Sequence, residues 1–142
     1  LDPSMKINTK HLLLLGLILV SMNGYASDEK KRDADQAAGK WLALIDGRQY
    51  RDSWDQAASL FKQQVSVDNW LQSITAARKP LGNMISRQLI SATYATSLPG
   101  APDGEYVVLQ YQTTFRYKKS AVETVTPMLD NDRWRVSGYY VR

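Results

Sequence analysis

The chain has 142 residues, with 18 Lys or Arg against 14 Asp or Glu, a formal net charge of +4, one histidine and no cysteine. The absence of cysteine excludes disulfides, thiol nucleophiles and thiolate metal sites. The charge is spread along the chain; it favours solubility and weakly favours anionic partners, but it is not a nucleic-acid footprint.

Leu1-Asp2-Pro3-Ser4 precede Met5 and read as a cloning remnant. From Met5 a basic start (Lys6, Lys10) leads into the apolar run Leu12 to Val20 and then Gly24-Tyr25-Ala26. That layout predicts a signal peptide over residues 5–26, cut before Ser27. The run is shorter than the roughly 20 apolar residues that span a bilayer, and no cysteine follows it to carry a lipid. The expectation is therefore a periplasmic or secreted protein, with no stable membrane anchor once the leader is cleaved. Removing 26 of 142 residues leaves 116, enough for one domain with a core, 33–142. The only histidine, His11, leaves with the leader. Catalytic triads and metal sites that need imidazole are excluded from what remains.

Residues 27–32 are short, polar and charged, and are expected as a mobile start. A helix is predicted from about Asp33 to Asp46, with Ala34, Ala37, Ala38, Trp41, Leu42 and Ile45 on one stripe and Gly47 at its stop. A second helix is predicted over about Tyr50 to Val65, with Tyr50, Trp54, Ala57, Ala58, Phe61 and Val65 inward. Ser66 suits the N-cap of a third, with Trp70, Ile74 and Ala77 inward, Arg78 and Lys79 at its end and Pro80 as its stop. Trp41, Trp54 and Trp70 fit a core better than a ligand cage.

Four strands follow. Met84 to Thr96 alternates weakly, with Ile90, Ala92 and Tyr94 expected inward and Arg87, Ser91 and Thr93 outward. Gly100 to Gly104 is a turn by composition. Tyr106 to Tyr117 places Val107, Leu109, Tyr111, Thr113, Phe115 and Tyr117 on its core face. Lys118-Lys119-Ser120 is the expected next turn, and Ala121 to Leu129 the third strand, with Pro127 marking an edge, bulge or strand end. Asp130-Asn131-Asp132 is a turn on residue type. In the last strand Trp134, Val136, Gly138 and Tyr140 face one way, and Arg133, Arg135, Ser137, Tyr139 and Val141 the other; Gly138 is a candidate bulge. Short connections predict an antiparallel meander. The fold class is α+β: three N-terminal helices packed on a curved four-stranded antiparallel sheet.

Several strings are specific in combination: Trp41-Leu42-Ala43-Leu44-Ile45-Asp46-Gly47, Arg78-Lys79-Pro80-Leu81-Gly82, Leu98-Pro99-Gly100-Ala101-Pro102-Asp103-Gly104-Glu105-Tyr106, Glu123-Thr124-Val125-Thr126-Pro127-Met128 and Trp134-Arg135-Val136-Ser137-Gly138-Tyr139-Tyr140. With Ser86-Arg87 they resemble a bacterial exported family of unknown function (domain of unknown function 4019). Such domains are similar to the nuclear transport factor 2-like, cystatin-like cone. The resemblance implies a fold and an exported location. It brings no established activity, and the cone hosts isomerases, dehydratases and binding modules alike.

Without histidine or cysteine, acid–base chemistry falls to carboxylates and tyrosines. A cone isomerase needs a pocket-facing carboxylate as base and donors at the oxyanion. Glu123 is the candidate base, with Tyr94, Tyr111 and Tyr139 as candidate donors. The competing and expected placement puts Glu123 on the solvent face, paired with Arg116 or Arg135. Arg78, Lys79 and Arg87 flank the helix-to-sheet junction; they are either an anion site or a helix-end charge with a salt bridge. Tyr106 and Tyr139 are either an exposed partner-binding face or ordinary cross-strand packing. Asp103-Gly104 is a turn former, and no carboxylate spacing resembles a calcium loop.

The leading expectation is a non-catalytic exported domain that binds a small ligand or a periplasmic protein. It has no cofactor and no metal, and Arg78, Arg87, Tyr94, Tyr111, Glu123 and Tyr139 are its candidate ligand-binding residues. The alternative is an isomerase or hydrolase-like enzyme built on a carboxylate/tyrosine pocket. A homodimer through the open sheet face is the third expectation.

Overall fold

A computed structural model describes the backbone of residues 9–142 and the side chains from Gly24 onward. The expected remnant, 1–4, and the first leader residues, 5–8, lie outside the described residues. Among the described residues no helix is long and apolar enough to cross a membrane.

Helix α1 runs from Thr9 to Asp46, so residues 27–32, expected as a mobile start, are helical instead. Their Glu, Lys and Arg are good helix formers, and polarity alone does not break a helix. The stripe Ala34, Ala38, Trp41, Leu42 and Ile45 is buried as the spacing predicts. The left-handed residue of the stop is Arg48 (φ 58°), not Gly47. Gly47 N and Gln49 N donate to the carbonyls of Ala43 and Leu44 at 3.0 and 2.8 Å.

The single helix expected over Tyr50 to Val65 is two helices, α2 (Tyr50–Gln56) and α3 (Ser59–Gln64). The break at Ala57-Ala58 has no glycine or proline to announce it. It exists because the sheet supplies better partners. Ala58 N donates to Val136 O at 2.8 Å. Opposite Val136 in the sheet lies Pro127, which has no N–H to give. Asp130 then caps α3 from the far hairpin, accepting from Ser59 N at 2.8 Å and Ser59 Oγ at 2.9 Å. Helix α4 (Val67–Arg78) has its expected cap: the Ser66 side chain accepts from Asn69 N. Its inward residues are Trp70, Ile74 and, in place of Ala77, Arg78. A 3-10 turn, Lys79–Leu81, leads into the sheet.

The sheet comprises β1 (Met84–Ala95), β2 (Tyr106–Phe115), β3 (Lys118–Asp130) and β4 (Arg133–Val141), antiparallel in the order β1-β2-β3-β4 and not closed. The fold is thus α+β, with four helices among the described residues rather than three. The β3–β4 turn is left-handed at Asn131 (φ 49°) and Asp132 (φ 62°), as its residue types predict. The β2–β3 turn is Arg116-Tyr117, because Lys118 already belongs to β3; Tyr117 is exposed rather than in the core.

Two register shifts move side chains between faces. One lies between Leu89 and Ser91. It puts Arg87, opposite buried Thr113, on the same face as Ala92 and Tyr94 and leaves Ile90 exposed, reversing the expected places of Arg87 and Ile90. The other lies where Val125 pairs with Tyr139 but Pro127 pairs with Val136. Three steps on β4 match two on β3, so Tyr139 packs inward beside Val136 and Tyr140 is exposed. Tyr106 is buried at 1% exposure, so Tyr106 and Tyr139 form no exposed face.

The core lies between α1, α4 and the inner face of the sheet. Trp41, Trp70, Phe61 and Tyr139 meet ring to ring at 5.0–5.9 Å. Buried Ser53 serves both indoles: its carbonyl accepts from Trp41 Nε1 at 2.8 Å and its Oγ from Trp70 Nε1 at 2.9 Å.

Candidate functional site

A charged cluster crosses this core and takes one residue each from α1, α4 and the four strands. Glu123 stands on the inner face of β3 between buried Ala121 and Val125, with no exposed surface. The expected solvent-facing pairing with Arg116 or Arg135 is therefore corrected: strand parity points Glu123 inward, and its cation is Arg87. Arg87 donates from Nε to Oε1 at 2.7 Å and from Nη2 to Oε2 at 3.2 Å. Thr113 Oγ1 donates to Oε1 at 2.6 Å, and Tyr139 OH donates to Oε2 at 2.5 Å. Each oxygen thus accepts two hydrogen bonds.

The other edge of Arg87 meets Asp46, the last residue of α1, donating from Nη1 to Oδ2 at 2.8 Å and from Nη2 to Oδ1 at 3.0 Å. Arg78, ending α4, donates from Nη2 to Asp46 Oδ1 at 2.9 Å. Its guanidinium lies over the Phe115 ring, 4.7 Å from the centroid. An acid at a helix C-terminus opposes the dipole; Asp46 is held there by two arginines.

The protonation preferences follow from this packing. Burial pushes the Asp46 carboxyl up, but hydrogen bonds and charge from Arg87 and then Arg78 outweigh it, and the group ends below its ordinary range. Burial opposes the charge on Arg87, but Asp46 and Glu123 more than restore it and raise its affinity for the proton. Tyr139 is pushed well above its ordinary value by burial and then by the charge and hydrogen bond of Glu123. Tyr111 is raised likewise, by burial and then by Asp35, to whose Oδ1 it donates at 2.5 Å.

The structure brings Arg78, Arg87, Glu123 and Tyr139 into one cluster. Tyr111 sits apart with Asp35, and Tyr94 apart with Glu105, to which it donates at 2.8 Å beside Lys30. Asp46, Thr113 and Asp35 were not singled out by the sequence. The acid at the helix end was the one available signal for Asp46.

Two of the surface cavities lie away from this cluster and a third abuts it. A groove of about 740 Å³ runs between α1, α2 and β4. Trp41, Leu44, Trp134 and Val136 form its apolar part, and Asp33, Lys40, Asp52, Asp55, Arg133 and Arg135 its charged part. A smaller cavity of about 260 Å³ sits where α1 and α4 end, beside Asp46, Arg78 and Lys79. A shallow depression over Leu71, Ala76 and Pro80 adjoins it through Thr75 and Lys79. Glu123, Arg87, Tyr94, Tyr111 and Tyr139 line none of the three.

The family model described as "Protein of unknown function (DUF4019)" matches residues 37–139. The chain belongs to the DUF4019 family. The span matched by DUF4019 takes in Asp46, Arg78, Arg87, Thr113, Glu123 and Tyr139, and begins two residues after Asp35. No curated protein matches this DUF4019 chain.

Proposed function

We propose that this is an exported, non-catalytic domain that binds a small organic molecule in the groove between α1, α2 and β4. The observation that carries this reading is the division of the polar groups. Glu123, the candidate base, has all its acceptor capacity engaged within the protein and no exposed surface. The groove combines half-buried Trp134 with side chains of both charge signs. Its volume is in the range of about 300–1,000 Å³ found for small-molecule sites. A zwitterionic ligand with a flat apolar part fits this lining: the indole takes the apolar part, and Arg133 or Arg135 and Asp52 or Asp55 take the charges.

Export is supported from the other end of α1. Among the described residues, its hydrogen bonds to the sheet side of the domain begin at Lys30, with Glu105 and Tyr94, and its buried core residues begin at Ala34. Of the residues described with their side chains, cleavage before Ser27 would remove only Gly24 to Ala26, none of which is buried. Mass spectrometry of the protein recovered from a periplasmic fraction should give an N-terminus at Ser27.

Binding is tested by screening a fragment library against the full chain by ¹H–¹⁵N spectra. Hits should converge on Trp134, Lys40 and Asp52, and Trp134→Ala should abolish them. Hits scattered over the sheet's outer face would instead support a protein-docking role. Turnover of any substrate that is lost in Glu123→Gln would overturn the non-catalytic reading.

A further inference from the structure

We infer that the cavity at the ends of α1 and α4 is a second site, one that takes a small anion through a carboxylate or phosphate group. It does not depend on the groove reading, because the two cavities share no residue.

Arg87 and Arg78 are matched by Asp46 and Glu123 within the buried cluster. Arg48 and Lys79 also line the cavity, and neither is ion-paired among the described residues. The wall thus carries two positive charges beyond the balanced set. The helix ends only partly offset them. The carbonyls of Ala43, Leu44 and Ile45 already accept from Gly47, Gln49 and Arg48, and Thr75 O accepts from Lys79 N.

The second observation is independent of charge. Arg78 is only 5% exposed, yet its Nε and Nη1 have no hydrogen-bond partner. Buried guanidinium N–H groups left unpaired are costly, and native structures pair nearly all such donors. The Phe115 ring fixes the guanidinium plane, and Asp46 occupies Nη2. The remaining donors, Nε and Nη1, belong to a side chain that lines this cavity. Both atoms have almost no accessible surface, so an acid oxygen beside Arg78 would give them acceptors once the side chain shifts toward the cavity, with Lys79 and Arg48 closing the rim. At about 260 Å³ the space suits a small anion rather than a drug-sized ligand.

The test is a titration of the ¹⁵N-labelled full chain with sodium phosphate and, separately, sodium acetate, at ionic strength held constant with sodium chloride. Saturable shifts at the Arg48, Lys79 and Asn83 amides and at the Arg78 Nε–H are expected for at least one anion; which one saturates tells phosphate from carboxylate. The double variant Arg48→Asn/Lys79→Gln should weaken that binding by about tenfold. Both side chains are exposed, and asparagine tolerates the left-handed backbone at position 48, so the melting temperature in chloride should not move. Shifts that stay linear to about 100 mM for both anions would overturn the inference, as would unchanged affinity in the double variant.

Discussion

Removing the Arg87 side chain is the sharpest perturbation of the buried cluster. Arg87→Met keeps the length of the stem and deletes both edges of the guanidinium. Glu123 would then keep two neutral donors, Thr113 and Tyr139, and no cation, at zero exposure. Breaking a buried pair this way costs about 3–5 kcal/mol, because the orphaned charge stays out of water. Glu123→Gln should cost less, about 1–3 kcal/mol, since Arg87 keeps both hydrogen bonds to Asp46. The double variant Arg87→Met/Glu123→Gln removes both charges and should lose less than the two single losses together, with a coupling of at least about 1 kcal/mol. Urea unfolding followed by circular dichroism at pH 7 measures all of these. A loss below about 1 kcal/mol for Arg87→Met, or single-site costs that add within about 0.5 kcal/mol, would refute the account.

Four further outcomes are expected. Trp41→Ala should cost about 3–5 kcal/mol because the ring is buried, and half-buried Trp134→Ala should cost less; equal losses in calorimetry would contradict the face assignments. Gly82→Ala should cost about 1–3 kcal/mol from its positive φ of 74°. Its added methyl would also stand 2.7 Å from the Tyr117 ring, so rescue by Tyr117→Ala would show that the ring, not the backbone, is the cause. Tyr111 and Tyr139 titrate above their unfolded value, so the stability they give is present below about pH 10 and falls as pH rises beyond it; the fall in urea midpoint should be shallower in Tyr139→Phe. Asp46 titrates below its unfolded value, so its contribution is present above about pH 4 and is lost on further acidification; a midpoint that does not drop between about pH 5 and pH 2 would contradict this.

The meander, the α1 stripe, the Ser66 cap and the left-handed β3–β4 turn were legible because each rests on local chemistry. Periodicity, a hydroxyl before a helix and Asn-Asp at a turn act within a few residues of themselves. What could not be read was set by distant partners. Nothing near Ala57 says that Val136 and Asp130 will capture the next two residues. Nothing near Ile90 says that β1 will slip by one against β2. That slip decides the candidate site, because it carries Arg87 from the solvent face to the core. Alternation alone gave Glu123 and Val122 opposite faces but could not say which was inner; β2, with its run of Val107, Leu109 and Tyr111, settles that through pairing.

The placement of Glu123 also narrows what the molecule can do with its charges. To act as a base, Glu123 would have to release a lone pair now held by Arg87, Thr113 or Tyr139. Arg87 cannot swing away alone, since Asp46 grips its other edge and Arg78 grips Asp46. Freeing the carboxylate would therefore loosen the ends of α1 and α4 together, a disturbance of the core rather than a side-chain rotation. The cluster acts as a clamp between helices and sheet. On the proposed reading, recognition would fall to groups the clamp does not use: the charged lining of the groove, and the spare donors of Arg78 with Arg48 and Lys79 beside them. These sites are neighbours along the C-terminal part of α1, which gives Asp33, Lys40, Trp41 and Leu44 to the groove and Ile45 and Asp46 to the cavity. Binding at one would reach the other through α1 and α2, which line both, and the clamp at the C-terminus of α1 is what would resist that movement.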